Sequence, residues 1–200
     1  MEVRNKNGGT GFQPVQEFRL YRRKLPHWED PGYIYFITFR TFKHFILPEK
    51  ARQIILDSCR FHDNKKYELY ACVVMPEHVH LILQPLEKTD GGYYSIAEIM
   101  HSLKSYSANQ INKLLRGTGK MPVAPGKGEA PGRDVQPGKN VSAGKVEQSK
   151  VWLDESFDRI IRDEKELLEK MNYIATNPIK TGLVEKLENY KWLIVKGWIE

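Results

Sequence analysis

The sequence predicts a mixed α/β fold in which an antiparallel sheet is flanked by helices. Segments rich in aromatic and β-branched residues alternate with segments whose apolar residues recur at helical spacing. Only Pro76 and Glu77 separate two of the strand-like segments, and so short a connection predicts an antiparallel hairpin. The first elements therefore follow the order strand, helix, strand, strand, helix, which is typical of a sheet with helices packed on it.

These first five elements have recognisable local signals. The aromatic segment GYIYFITFRTF predicts the first strand, with both of its faces at least partly covered. Pro48 precedes one helical pattern, and Ser95 forms a capping box with Glu98 in front of another. The predicted bounds are a strand over residues 32–42, a helix from Pro48 to about His62 or Asn64, strands over residues 67–75 and 78–84, and a helix from Ser95 to about Leu115.

A further strand and a C-terminal helix are predicted after residue 150. The segment VWLDESFDRIIR predicts the strand, and Asp163 with Glu166 predicts the helix start. Pro178 predicts that the helix ends near Asn177, because a residue before proline is disfavoured in helical geometry. The apolar stripe predicted to face the core consists of Leu167, Leu168, Met171, Ile174 and Ala175.

Composition predicts two other regions besides this domain. Residues 1–31 are interpreted as an N-terminal basic arm and residues 32–200 as a single domain. Residues 116–150 are rich in glycine, proline and lysine, with an imperfect six-residue repeat, and predict a flexible insertion. A solvated linker and a basic arm that touches DNA both fit this insertion.

Charge and cysteine content narrow the class of protein. The net charge of +6 favours a polyanionic partner without requiring one. Cys59 and Cys72 lack metal-ligand spacing and are expected to be reduced packing residues, as in a cytoplasmic protein. We find no apolar segment long enough to cross a bilayer and no signal sequence, so no membrane partner is expected.

The pair His78 and His80 is the candidate metal site. Alternate side chains of a strand share a face, so the two imidazoles point the same way and can bind one divalent ion. The alternative is one buried, hydrogen-bonded histidine beside one exposed histidine. Ile82 lies where a nucleotide hydrolase with alternating histidines would have a third, and a zinc protease would have its two histidines four apart on a helix.

Tyr173 is the candidate nucleophile. It lies opposite the apolar stripe of the last helix, with Asn177 one turn later and Lys170 three residues earlier. A phenol is mostly protonated at neutral pH, so a nearby cation or metal ion would be needed to favour the reactive phenolate. The alternative is a half-exposed surface tyrosine, with Asn177 merely ending a helix before a proline.

Two segments then resemble one known family. VVMPEHVHLIL, residues 73–83, resembles the histidine motif of the HUH endonucleases. YIATNPIKTGLV, residues 173–184, resembles the second motif of their REP-associated tyrosine transposase branch. Further similarity at Lys104, Trp152, Phe157 and Asp158 extends the resemblance over residues 33–184, apart from the insertion and a divergent C-terminus.

The resemblance implies a fold, a reaction and roles for residues. It implies a ferredoxin-like domain whose C-terminal helix carries Tyr173 as nucleophile, with His78, His80 and Asn177 at a divalent metal, Mg²⁺ or Mn²⁺. It further implies cleavage and rejoining of single-stranded or hairpin DNA through a 5′-phosphotyrosine link. Whether Tyr173 serves its own site or a partner's, in a monomer or a homodimer, stays open.

The predicted contacts to DNA phosphates are basic residues near the N-terminus and on two helices. A solvated surface is the alternative for each. Two other functions also stay open: a module that binds hairpin DNA without cutting it, and a metal-dependent nuclease that uses water. The predicted phosphate contacts are Arg19, Arg22, Arg23, Lys24, Lys104 and Lys170.

Overall fold

The computed structural model describes residues 19–22, 26–29, 32–117 and 150–197, with side chains from residue 32 onwards. Within these ranges, no helix is both long and apolar enough to cross a membrane. The strands are β1 Arg19–Arg22, β2 Pro26–Glu29, β3 Tyr35–Thr41, β4 Tyr67–Val74, β5 His78–Pro85, β6 Trp152–Ile160 and β7 Leu193–Val195. The helices are α1 Glu49–His62, α2 Ile96–Gly117 and α3 Glu164–Lys180, with short 3₁₀ turns at Phe42–His44 and Leu187–Asn189.

The main sheet has five antiparallel strands in the order β6-β3-β5-β4-β7. The elements β3, α1, β4, β5, α2 and β6 follow one another in the chain, and their strand order is that of a ferredoxin-like domain. The mixed α/β prediction with an antiparallel sheet and flanking helices is therefore confirmed. Strands β1 and β2 form a separate two-stranded sheet.

The sheet separates two layers of helix. On β3, Tyr35, Ile37 and Phe39 are almost fully buried on the face that α1 and α2 cover. The opposite face carries Phe36 and Thr38, and it meets α3, which packs mainly on β4, β5 and β7. Because α3 covers only that half of its face, the surface of β3 and β6 beside it stays open to a ligand.

Several predicted bounds need correction. The first strand begins at Tyr35 rather than residue 32, and α2 continues to Gly117, so residues 116 and 117 are helical and not part of the insertion. Residues 118–149 lie outside the described part of the chain. The sequence pattern predicts neither β1 and β2, within the proposed basic arm, nor β7, because segments of three or four residues carry almost no periodicity.

The predicted end of the last helix is wrong. Helix α3 continues past Asn177 and through Pro178 to Lys180. A proline removes one backbone donor, but here it lies in the last turn and its ring is buried, so the helix loses one hydrogen bond while keeping an apolar contact. Beyond it, the Thr181 N–H still donates to the Asn177 carbonyl at 3.0 Å.

Candidate active site

His80 lies on β5, where the sheet face covered by α3 meets the open part formed by β3 and β6. It lies opposite Thr38 on β3, and its Nδ1 is 2.7 Å from the Thr38 hydroxyl. The side chain is 6% exposed, and among the described residues its Nε2 has no hydrogen-bond partner. Burial, with the nearby charges of His78 and Arg40, lowers the pKa of His80 to about 3. The ring is therefore neutral at physiological pH, as a metal-binding imidazole must be.

His78 lies beside His80 on the same face, with 4.7 Å between the ring centroids. Its strand partner across β3 is Arg40. Burial and the Arg40 charge lower the pKa of His78, while Glu77 opposes that shift. The two rings thus lie side by side in the uncharged form, which is the arrangement that the alternating motif predicts.

Tyr173 is brought to this pair by α3. The helix starts at Asp163, whose carboxylate accepts a 2.8 Å bond from the Glu166 N–H, and it buries Ile174 and Ala175 against the sheet. The Tyr173 ring then meets that of His80 edge to face, with centroids 5.3 Å apart, and it keeps 39% of its surface exposed. The phenol and the imidazole pair therefore come together within one chain.

A cleft of about 570 Å³ opens over the rings of His80 and Tyr173, and His78 is not among the residues that line it. Lys170 stands at its wall, with Nζ 5.3 Å from the Phe36 ring centroid, so the predicted convergence of phenol and ammonium is present. Lys180, a residue that the sequence pattern does not single out, places its Nζ 5.9 Å from the Tyr173 ring centroid. The cleft is lined by Phe36, Thr38, Arg40, His80, Leu153, Glu155, Ser156, Phe157, Lys170 and Tyr173.

Asn177 lies one turn after Tyr173 but does not line the cleft. Its side chain is 6% exposed, and its Oδ1 is buried without a hydrogen-bond partner among the described residues. An amide oxygen left in this state costs free energy, which a cation bound to it would recover. Within the described ranges, no three histidine, cysteine, aspartate or glutamate side chains gather as a metal site.

Of the predicted DNA contacts, only Lys104 and Lys170 have described side chains, and these two lie in different places. Lys170 lines the cleft, whereas Lys104 on α2 donates to three main-chain carbonyl groups of β6 at 3.1–3.3 Å and so ties that strand to the helix. Arg19 and Arg22 are on β1, where side chains are not described. Arg23 and Lys24 lie outside the described residues. These phosphate contacts stay predictions.

Thr38 and Arg40 are site residues that the sequence motifs do not reveal. They alternate with Phe36 along β3, so all three share one face, and this periodicity is the only local signal. Strand pairing brings these two residues to the site, because Thr38 is the direct partner of His80 and Arg40 is the direct partner of His78. Within residues 32–117 and 150–197, the Arg40 guanidinium forms neither a hydrogen bond nor an ion pair, so it is available to an anion entering the cleft.

Comparison with known proteins shows which family this chain resembles. Residues 34–121 match the family model described as "Transposase IS200 like". A Haemophilus influenzae protein named as a REP-associated tyrosine transposase is 27% identical over 132 residues, which are 66% of this chain and 56% of that protein. The predicted resemblance is confirmed. The chain spans little more than half of that relative, and the matched IS200-like region contains His78 and His80 but ends before Tyr173.

A solved structure supports the fold of this chain. It is described as a REP-associated tyrosine transposase bound to a REP hairpin, and it aligns with a TM-score of 0.55 at 18% identity. The alignment covers 86% of this chain and 80% of that one. At that identity the likeness establishes the ferredoxin-like fold, while the chemistry has to be argued from the residues in the cleft.

Proposed function

We propose that this chain is a metal-dependent transposase that cuts and rejoins single-stranded DNA at hairpin sequences, with Tyr173 as nucleophile. The observation that carries the proposal is the placement of the Tyr173 ring 5.3 Å from His80, across a cleft also lined by Arg40 and Lys170. A nucleophile, two neutral imidazoles, and two cations set against one carboxylate, Glu155, suit a phosphodiester better than a neutral or cationic substrate. The names of the IS200-like family and of the H. influenzae relative support the same reaction class.

The residues present fit a divalent metal ion. His80 has a buried Nε2 without a partner, and Asn177 has a buried Oδ1 in the same state, so both would gain a ligand interaction. A proton on His80 Nδ1, donated to Thr38, would leave the Nε2 lone pair free to bind. His78, His80 and Asn177 would hold the ion, which would polarise the scissile phosphate as a Lewis acid.

Tyr173 performs the exchange of bonds. Its phenolic oxygen attacks the phosphorus, a tyrosine–phosphate bond forms, and the DNA leaves with a 3′-hydroxyl while its 5′-phosphate stays on the protein. Since one phosphate ester replaces another, a 3′-hydroxyl can reverse the step and rejoin the strand without a nucleotide cofactor. The edge-to-face contacts with His80 and Phe36 hold the ring in place between attack and release.

Arg40 and Lys170 contribute positive charge to the phosphate. Negative charge grows on the non-bridging oxygens during attack, and donors already in position stabilise it without reorganising solvent. The phenol and the histidines come from the same chain in this structure, so we propose that each subunit acts in cis. An exchange of α3 between two subunits is not required to assemble the site.

The decisive experiment compares Tyr173→Phe with the unmodified protein. Each is incubated with a labelled DNA hairpin with single-stranded flanks and Mg²⁺ or Mn²⁺, and covalent protein–DNA adduct is resolved on a denaturing gel. We expect adduct with the unmodified protein and none with Tyr173→Phe. Tyr106→Phe is the matched control, since Tyr106 is also exposed but lies on α2 across the sheet, and it should retain the adduct.

The same gel distinguishes the alternatives. Unchanged adduct formation by Tyr173→Phe would refute the nucleophile. Cleavage that survives in Tyr173→Phe, with no adduct in either protein, would identify a nuclease that uses water. Hairpin binding without cleavage or adduct in the unmodified protein would identify a binding module.

A further inference from the structure

We infer that Phe157 forms a stacking surface for one unpaired nucleobase beside the phosphate in the cleft. The inference rests on the proposed function in one respect, that the ligand of the cleft is DNA. Phe157 takes part in none of the bond-making steps proposed above. It would hold the strand in position rather than react with it.

The pairing register places Phe157 in a row with the site. Phe157 on β6 is the direct partner of Thr38 on β3, and Thr38 is the direct partner of His80 on β5. Directly paired residues of antiparallel strands project from the same face, so all three side chains stand on the open surface. Two strand spacings of about 4.8 Å separate Phe157 from His80, which leaves its ring beside the reaction centre without blocking it.

The Phe157 ring is more than half exposed. It keeps 54% of its surface accessible, although it lies in the middle of a strand, and no described aromatic ring or cation packs on it. Its neighbour in the cleft wall, Leu153, is also 39% exposed. An apolar face left open next to a cleft is typical of a surface that a ligand covers.

The charges around Phe157 specify which ligand fits. Arg40 and Lys170 line the same cleft and outnumber its one carboxylate, Glu155, so the best-fitting occupant offers negative charge to them and a flat apolar group to the ring. A nucleotide of single-stranded DNA has both, in its phosphate and its base. In a paired duplex the faces of the bases are stacked on one another, so this surface requires an unpaired base, as found in the flank of a hairpin.

Binding measured without metal tests this inference apart from cleavage. Two fluorescent probes are titrated by anisotropy in EDTA: an oligothymidylate of about eight nucleotides, within the range that single-strand sites cover, and an abasic deoxyribose-phosphate oligomer of equal length. Their phosphates are the same, so the ratio of their dissociation constants reports contacts to bases. Stacking of one base should make the thymidylate bind about fivefold to 150-fold tighter.

Three variants separate stacking from apolar burial. Phe157→Leu should reduce the ratio at least about fivefold, because leucine keeps apolar area but has no aromatic face, whereas Phe157→Trp should keep it. Phe61→Leu is the matched control, since Phe61 is 63% exposed but lies in a different groove, between α1 and α2. It should leave the ratio unchanged. Circular dichroism confirms that each variant is folded.

The outcomes for the inference and for the proposed function are distinct. An unchanged ratio in Phe157→Leu, an equal loss in Phe61→Leu or in Phe157→Trp, or a ratio of one in the unmodified protein would each overturn the stacking surface. Adduct formation through Tyr173 would then still stand. Conversely, a base preference that depends on Phe157 in a protein that never forms an adduct would support the surface and contradict the cleavage reaction.

Discussion

Replacing Thr38 with valine should weaken metal binding at His80 without removing any metal ligand. The substitution keeps the shape and the strand preference of the side chain and removes only the hydroxyl that lies 2.7 Å from His80 Nδ1. That contact orients the ring, and a proton on Nδ1 donated to the hydroxyl would leave Nε2 free for a metal ion. Loss of such a supporting partner lowers metal affinity about 10- to 100-fold, and leaving Nδ1 without a partner costs about 1–3 kcal/mol of stability.

The measurement is a calorimetric titration with Mn²⁺, beside a thermal melt in EDTA. Thr38→Val should bind the ion more weakly and melt a few degrees lower, since about 1 kcal/mol corresponds to about 2–4 °C in a domain of this size. Thr38→Ser should restore most of the affinity. Ser107→Ala is the control, because it removes the hydroxyl partner of another buried ring nitrogen, Trp152 Nε1, on the other side of the sheet.

The reasoning fails if Thr38→Val binds Mn²⁺ as tightly as the unmodified protein. It also fails if Ser107→Ala loses as much affinity, since the effect would then follow from general loss of stability. A loss of Mn²⁺ affinity that occurs in Thr38→Val but not in Ser107→Ala, and that Thr38→Ser reverses, is not explained by lower stability alone. The comparison therefore isolates the orientation of the imidazole.

Two further predictions concern the charges of the site. Arg40→Gln should slow adduct formation about 100-fold, because it removes a preorganised donor to the phosphate. The control Arg60→Gln, on α1, should not slow it. Equal rates for the two variants would contradict a role of Arg40 in stabilising the phosphate charge. In EDTA, the lowered pKa of His80 makes the free energy of unfolding depend on pH. The contribution of His80 to that free energy is fully present above pH 6.5. It is lost as the pH falls towards the folded pKa of about 3, a total of about 4–5 kcal/mol. Urea unfolding across that range should show a steeper fall for the unmodified protein than for His80→Gln, and parallel curves would refute the shift.

Features that depend on neighbouring residues were predictable from sequence. The capping box before α2 forms as expected: the Ser95 N–H donates to the Glu98 carboxylate at 2.8 Å, and the Glu98 N–H donates to the Ser95 hydroxyl at 3.1 Å. The hairpin of β4 and β5 needs only a two-residue signal at Pro76 and Glu77. In each case the contacts lie within a few residues, so the pattern contains the information.

Features that depend on strand pairing were not predictable in this way. Thr38 and Arg40 are more than 35 residues from the histidines that they face, and only the antiparallel register of β3 with β5 brings them together. A shift of that register by one residue would place both side chains on the opposite face. The sequence therefore identifies the two imidazoles as a pair, but it does not identify the hydroxyl and the guanidinium that lie beside them.

The position of Tyr173, the proposed nucleophile, is a feature that the sequence predicts only in part. Periodicity correctly separates Tyr173 from the buried Ile174 and Ala175, although Leu168, assigned to the same apolar stripe, is 56% exposed. The error arises because α3 packs on only half of one sheet face. It therefore buries a narrower stripe of side chains than a helix whose whole inner side is covered. That partial cover is also what leaves the cleft open beside Tyr173, so the docking of α3 and the access of DNA to its phenol follow from the same packing.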